Sequence, residues 1–204
     1  VLGLMSTPSY AIYKHIYAGQ STAGQNLDYA EQDYSLNLHG NYTVGAGSNV
    51  SWSVRGKASF NIGPADTVTT VNGNLLLNSW HSGDLGHFTW DRSNSILVNN
   101  TGTLYIGDYD EIGNLTRGGT NGSNNLTEFR LKDSSSITIN GRGFSNTTFV
   151  QEGNSVLSIN GSGMVFDGPL QVNGNSRVDV HSNLQTRSNS YMTGGTISEN
   201  KAGS

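Results

Sequence analysis

Apolar and small polar residues alternate in short runs along most of this chain. Ser136-Ile137-Thr138-Ile139 and Val156-Leu157-Ser158-Ile159 each set two apolar side chains around one small polar side chain. A period of two is that of an extended strand with one face buried and the other in water. Each run ends on Asn-Gly (Asn140-Gly141 and Asn160-Gly161), a pair that turns the chain because both residues tolerate positive φ. The two phrases lie 20 residues apart. Val178-Asp179-Val180 brings an apolar residue 21 positions after Ile159, and Ile96-Leu97-Val98 brings one 41 positions before Ile139, close to two periods.

Asn-Gly between alternating runs is also the strongest local signal for an antiparallel hairpin, so a meander or sandwich uses the same vocabulary. The return of one phrase at a fixed spacing favours a solenoid of stacked β-coils. The pattern therefore predicts an all-β, right-handed parallel β-helix of about 20 residues per coil. Ile96, Val98, Leu104, Ile106, Ile137, Ile139, Leu157, Ile159, Val178 and Val180 form its inner face, and Thr138, Ser158 and Asp179 face outward. Neighbouring rungs about 4.8 Å apart place Ile139 on Ile159 and Asn140 on Asn160, where amides can bond up a ladder.

Composition sharpens this reading. Apolar residues are 34%, charged residues 13%, and Gly fills 27 positions, with a net charge of −4. The low charge, the recurring Val/Ile pairs and only 3 Pro separate the chain from a disordered linker. Without Lys/Arg clusters, nothing points to nucleic acid as a partner. There is no Cys, so no disulfide staples the coils. No run of 18 apolar residues is present to span a bilayer as a helix.

Residues 1–11 read as the remnant of a secretory signal peptide, with Val1 to Met5 ending its apolar core and Ser9-Tyr10-Ala11 supplying small residues for cleavage. Residues 12–40 are rich in Tyr, lack the repeat phrase and read as an N-terminal cap that hides an open rung. Residues 41–204 read as the β-helix itself, continuing beyond Ser204. Strands are expected at Ser51–Val54, at Ala58–Ile62, and at Val68–Leu77 interrupted by Asn72-Gly73. Two stretches, Ser79–Arg92 and Asp108–Asn125, depart from the repeat and read as projecting loops.

The last phrase, Gly194-Gly195-Thr196-Ile197-Ser198-Glu199-Asn200-Lys201-Ala202, resembles the repeat of β-helical surface proteins of Gram-negative bacteria, including autotransporter passengers. The chain is similar to the N-terminal part of an adhesin-type (type V secretion) passenger. That resemblance implies a pectin-lyase-like fold, export to the outer membrane surface or beyond, and attachment rather than catalysis. The implied partners are host glycans or matrix proteins, or the same protein on neighbouring cells. Membrane contact would come only through a C-terminal β-barrel, and no cofactor is implied.

Candidate chemistry is sparse. Neither Gly83-Asp84-Leu85 nor Gly107-Asp108-Tyr109 supplies the nucleophile motif of a serine-protease passenger. Asp84, Asp91, Asp108, Asp110, Glu111 and Asp179 are the carboxylates available to a β-helical lyase or glycosidase, which needs a pair about 5–10 Å apart. His81 and His87 with Asp84 lack recognised metal-ligand spacing. The best local binding candidate is the aromatic group Trp80, His81, Phe88 and Trp90, whose rings suit stacking on sugars or a protein contact. The alternatives are a polysaccharide-degrading enzyme and an inert structural stalk.

Overall fold

The structure is a computed structural model that describes residues 13–32, 35–55, 59–63, 67–80, 87–90, 95–108, 116–118, 127–140, 147–161, 164–166, 168–181 and 184–199. The proposed signal-peptide remnant, residues 1–11, lies outside them. In chain order the strands are β1 (Tyr13–Gln20), β2 (Asn26–Gln32), β3 (Ser35–Val44), β4 (Asn49–Arg55), β5 (Ser59–Gly63) and β6 (Val68–Val71). There follow β7 (Asn74–Trp80), β8 (His87–Trp90), β9 (Ser95–Val98), β10 (Thr103–Asp108), β11 (Thr116–Gly118), β12 (Thr127–Leu131) and β13 (Ser136–Ile139). The last are β14 (Thr147–Gln151), β15 (Val156–Ile159), β16 (Met164–Phe166), β17 (Leu170–Val180), β18 (Leu184–Thr186) and β19 (Tyr191–Glu199).

All of the strand pairings among the described residues are parallel, and each joins one coil to the next. The fold is a β-solenoid, and the hairpin alternative falls. Three columns of strands form its sides. The first runs β1, β3, β5, β8, β11. The second runs through the end of β3, then β6, β9, β12, β14 and the starts of β17 and β19. The third runs β2, β4, β7, β10, β13, β15 and the ends of β17 and β19. Residues 12–40, read as a cap, contribute β1, β2 and the start of β3, which pair in register with the strands above them.

Alternation builds the core as the sequence predicts. All ten residues expected on the inner face are buried, from 0% exposed at Ile139 and Ile159 to 5% at Val180. Thr138, Ser158 and Asp179 point outward and are half-buried. Ile139 stands on Ile159, and the Asn160 amide donates to Asn140 Oδ1 at 2.9 Å. Phe129, Phe149 and Phe166 stack through the interior with ring centroids 5.0 and 4.5 Å apart. At these separations offset rings gain beyond the area they bury.

One part of the repeat was misread. Ile96–Val98 belongs to the second side, where Ile96 pairs with Phe129 and Val98 with Leu131. The neighbour of Ile139 in the preceding coil is Ile106, 33 positions away. Coil length on the third side, from Asn26 through Asn49, Asn74, Thr103, Ser136, Val156 and Arg177 to Thr196, is 23, 25, 29, 33, 20, 21 and 19 residues. The 20-residue period therefore holds only for the later coils, and the spacing of 41 spans two different sides.

The corner between the second and third sides scarcely varies. The residues that bracket it are six positions apart at Val44–Val50, Val98–Leu104, Leu131–Ile137, Gln151–Leu157 and Val172–Val178, four apart at Val71–Leu75 and five apart at Met192–Ile197. A left-handed residue turns the chain there: Gly47 (φ 74°), Asn100 (54°), Asp133 (56°), Gly153 (70°) and Gly174 (67°). Gly and Asn or Asp carry the least strain at such φ. The residue just before the third side is a buried Ser48, Ser135, Ser155 or Ser176, or a Gly at 73, 102 and 195. Ser48 Oγ donates to Gly45 O and Ser176 Oγ to Asn173 O, both at 2.7 Å, while Ser135 Oγ accepts from the Lys132 N–H. The hydroxyl thus adds a second bond at Gly45 O, which already accepts from the Ser48 N–H, and at the Lys132 N–H, which already donates to Val98 O. The Gly-Gly-Thr-Ile-Ser phrase is this corner followed by a third-side strand.

Candidate ligand groove

The sequence pointed to the aromatic stretch 79–92, and the structure redraws it. Ser79 and Trp80 close β7, and His87–Trp90 form β8, so this is not one projecting loop. Phe88 stands in register with Phe60 and Leu36, and Trp90 with Ile62 and Leu38. Leu36 and Leu38 of that register are buried. Trp80 ends its strand beside Arg55. His81 lies outside the described residues, as do Asp84, Asp91, Asp110 and Glu111. In the second departure, Asp108 ends β10 and Thr116–Gly118 form β11.

The groove lies elsewhere, on the outward surface of the third side across β2, β4, β7 and β10. It has a volume of about 450 Å³. Two outward rows run along the solenoid axis. The first is Asn26, Asn49, Asn74 and Thr103, and the second, two residues along each strand, is Asp28, Ser51, Leu76 and Tyr105. Parallel pairing in register brings these residues together although 23 to 29 positions separate successive members.

The first row is a side-chain ladder. Asn49 Nδ2 donates to Asn26 Oδ1 at 2.9 Å, Asn74 Nδ2 to Asn49 Oδ1 at 2.7 Å, and Thr103 Oγ1 to Asn74 Oδ1 at 2.6 Å. A carboxamide has two N–H donors and two acceptor lone pairs, so the ladder leaves one of each on Asn49 and Asn74 for solvent or ligand. The ladder also fixes the rotamers, which lowers the entropy lost on binding. The second row begins polar at Asp28 and Ser51 and turns apolar at Leu76 and Tyr105. Tyr105 is 38% exposed, and its phenol is hydrogen-bonded by the Asn140 amide of the next rung. That bond continues to Asn160, so a second amide chain holds the Tyr105 ring in place.

The groove has an aromatic face, a branched aliphatic wall, a row of preoriented amides and one carboxylate. Among the described residues, Asp28 is its sole charged lining residue. A glycosidase pair needs a second carboxylate across the scissile bond, and the lining supplies none. Asp179, another candidate carboxylate, is ion-paired to Arg177 at 2.9 Å three rungs beyond the groove's end at Tyr105. Among the described residues no three His, Asp or Glu side chains converge as metal ligands.

Charge is gathered on the second side. Arg130 donates to Glu128 at 2.8 Å and to Glu152 at 2.6 Å, and Lys132 lies 3.8 Å from Glu152. The Glu128 hydrogen bond is the largest influence holding the Arg130 guanidinium protonated above its ordinary range. On the first side, His15 Nδ1 and His39 Nε2 share a hydrogen bond of 2.7 Å, and Tyr17 stacks on His39. The groove was missed from sequence because the members of its rows lie 23, 25 and 29 positions apart and the second row repeats no residue type. No known family, curated protein or solved structure matches this chain.

Proposed function

We propose that this solenoid is an attachment protein of the bacterial surface, an adhesin-type passenger that holds ligands on its outward sides without transforming them. The carrying observation is the groove: preoriented amides repeated from rung to rung, and one aromatic ring at Tyr105, beside a single carboxylate among the described lining residues. Polar contacts of this kind are individually weak, about 0.5–1.5 kcal/mol each. Their alignment on a stiff rod makes them additive within one ligand and across neighbouring rods. The resemblance of residues 194–202 to surface β-helix repeats, together with the absence of Cys, supports export to the outer surface of a Gram-negative cell. The partners proposed are host glycans or matrix proteins, and the same protein on sister cells.

The test uses beads coated with the 204-residue chain. They should clump, or adhere to surfaces carrying glycan or matrix protein, and Asn49→Asp with Asn74→Asp should weaken the effect by breaking the ladder with like charges. Beads that neither clump nor adhere to any of these surfaces would refute attachment. Release of reducing ends or unsaturated sugars from soluble polysaccharide would favour the enzyme instead.

A further inference from the structure

We infer that the groove takes an extended, uncharged glycan chain lying along the solenoid axis, one sugar to each rung. This rests on the attachment reading and names its ligand class. Three observations lead to it. First, the two rows stand two residues apart along each strand, about 6.8 Å between row centres, and run along the axis as a narrow strip that suits a single extended chain. Second, the rows differ in chemistry. Asn49 and Asn74 offer one free N–H and one free lone pair per rung, while Leu76 and Tyr105 offer an aliphatic and an aromatic surface. A pyranose is amphipathic in the same sense, with hydroxyls around its edge and C–H groups on its faces. Third, among the described residues Asp28 is the only charge in the lining and no cation joins it there, so uronate or sulfate groups would be repelled.

Spacing argues against a peptide as occupant. Side chains on one face of an extended peptide recur about every 6.8 Å, whereas the rungs recur about every 4.8 Å, so the two fall out of step within the four rungs of the groove. The repeat of an extended β-linked hexose chain is close to one rung. At Asn49 and Asn74 two successive sugars then meet the same amide geometry. The exposed Tyr105 ring, braced by Asn140, stacks against the sugar at one end.

The experiment is calorimetric titration of the 204-residue chain with β-1,4-linked hexasaccharides of glucose, N-acetylglucosamine and mannose, and with oligogalacturonate and an extended hexapeptide for comparison. At least one neutral hexasaccharide should bind, its trisaccharide at least about tenfold more weakly, because fewer rungs are engaged. Tyr105→Ala and Asn49→Ala should each weaken binding about tenfold, in line with loss of one aromatic or amide contact, with the circular dichroism spectrum unchanged. Trp80→Ala with Trp90→Ala should leave the affinity unchanged. The inference is overturned if no neutral hexasaccharide binds, if oligogalacturonate or the peptide binds as tightly, or if Tyr105→Ala has no effect. Beads that still attach while every neutral hexasaccharide fails would remove this ligand and leave the attachment reading standing. Beads that fail together with the sugars would remove both.

Discussion

The corner between the second and third sides and the return path from the third side back to the second do opposite things with chain length. The residues that bracket the corner are six positions apart in five coils, four in the coil of Val71 and Leu75 and five in that of Met192 and Ile197. On the return path, Leu77 is followed by Ile96 after 19 positions, Ile106 by Phe129 after 23, and Ile139 by Phe149 after only 10. The difference teaches where this solenoid keeps its register. At the corner, left-handed residues stack on one another and a buried Ser or Gly leaves no room for an extra residue. Along the return path the chain absorbs insertions, because each doubling of a loop costs only about 0.6 kcal/mol. Strands on the third side therefore stay aligned while whole coils vary from 19 to 33 residues, and this keeps the groove's two rows straight.

The comparison breaks most sharply under insertion. One Ala placed between Gly153 and Asn154 should abolish the cooperative melting transition, because a single-residue slip turns Leu157 and Ile159 outward. Three residues placed between Arg142 and Gly143, on the return path, should cost no more than about 0.5 kcal/mol in a denaturant melt. Equal losses would show that the corner has no special hold on register.

The next effect separates the two faces of one strand. Ile159 is wholly buried and Ser158 beside it faces outward. Ile159→Asp should destabilise by several kcal/mol, since a carboxylate enters a dry column with no partner. Ser158→Asp should stay within about 0.5 kcal/mol. Matching melting temperatures for the two variants would contradict the alternation.

Such alternation was legible from sequence wherever Ile, Leu and Val flank a small polar residue, because burial itself selects those residues. Every inner-face residue expected between Ile96 and Val180 is buried, and Asn140 does bond to Asn160. The coil length was legible only between Ser136 and Val180, where the return path is short. Upstream, the insert between Ile106 and Phe129 hid the phrase, and Ile96–Val98 was matched to the wrong side. The groove was illegible for a related reason. Asp28, Ser51, Leu76 and Tyr105 share a row, yet no residue type repeats among them, so the row exists only once the register is known. Aromatic density drew attention to Phe88 and Trp90, whose backbone positions in register with Leu36 and Leu38 could be assigned only once the strands were paired.

A smaller effect sharpens the account of the corner's Gly positions. At Gly102 a Cβ would lie 2.2 Å from Val71 O and 2.9 Å from Asn99 O, both backbone atoms. Gly102→Ala should therefore cost about 1–3 kcal/mol, read as a lower midpoint at constant m-value. At Gly24, where a Cβ meets nothing within 4 Å, the positive φ of 78° is the only obstacle, and Ala should cost less. Similar costs at both sites would mean that stacking of successive corners adds nothing.

A pH-dependent effect belongs to the end of the return path, where Tyr42 packs edge-on against Trp52 with centroids 5.3 Å apart. Burial, helped by Tyr29, pushes the Tyr42 phenol up from 10.0 to about 12. Its neutral form is thus favoured in the fold. That contribution is complete below about pH 10 and is lost as pH rises toward 12, a change on the order of 2 kcal/mol. Tyr42→Phe should flatten the decline in stability between pH 10 and 12. An unchanged decline would assign it to other groups.

The central claim, that register is kept on the third side while coil length varies, is tested most directly by cysteine pairs. The chain has no Cys of its own, so engineered pairs report without background. Thr138 and Ser158 are register partners, and so are Leu97 and Arg130, at offsets of 20 and 33 residues. Adjacent rungs about 4.8 Å apart fall within the Cα separations that a disulfide spans. Both pairs, each changed to Cys, should close intramolecular disulfides under mild oxidation. Leu97→Cys with Thr138→Cys, on different sides, and Thr138→Cys with Asp179→Cys, two rungs apart, should stay reduced. Closure of the Leu97–Thr138 pair in place of Leu97–Arg130 would contradict the account and restore a uniform 20-residue coil.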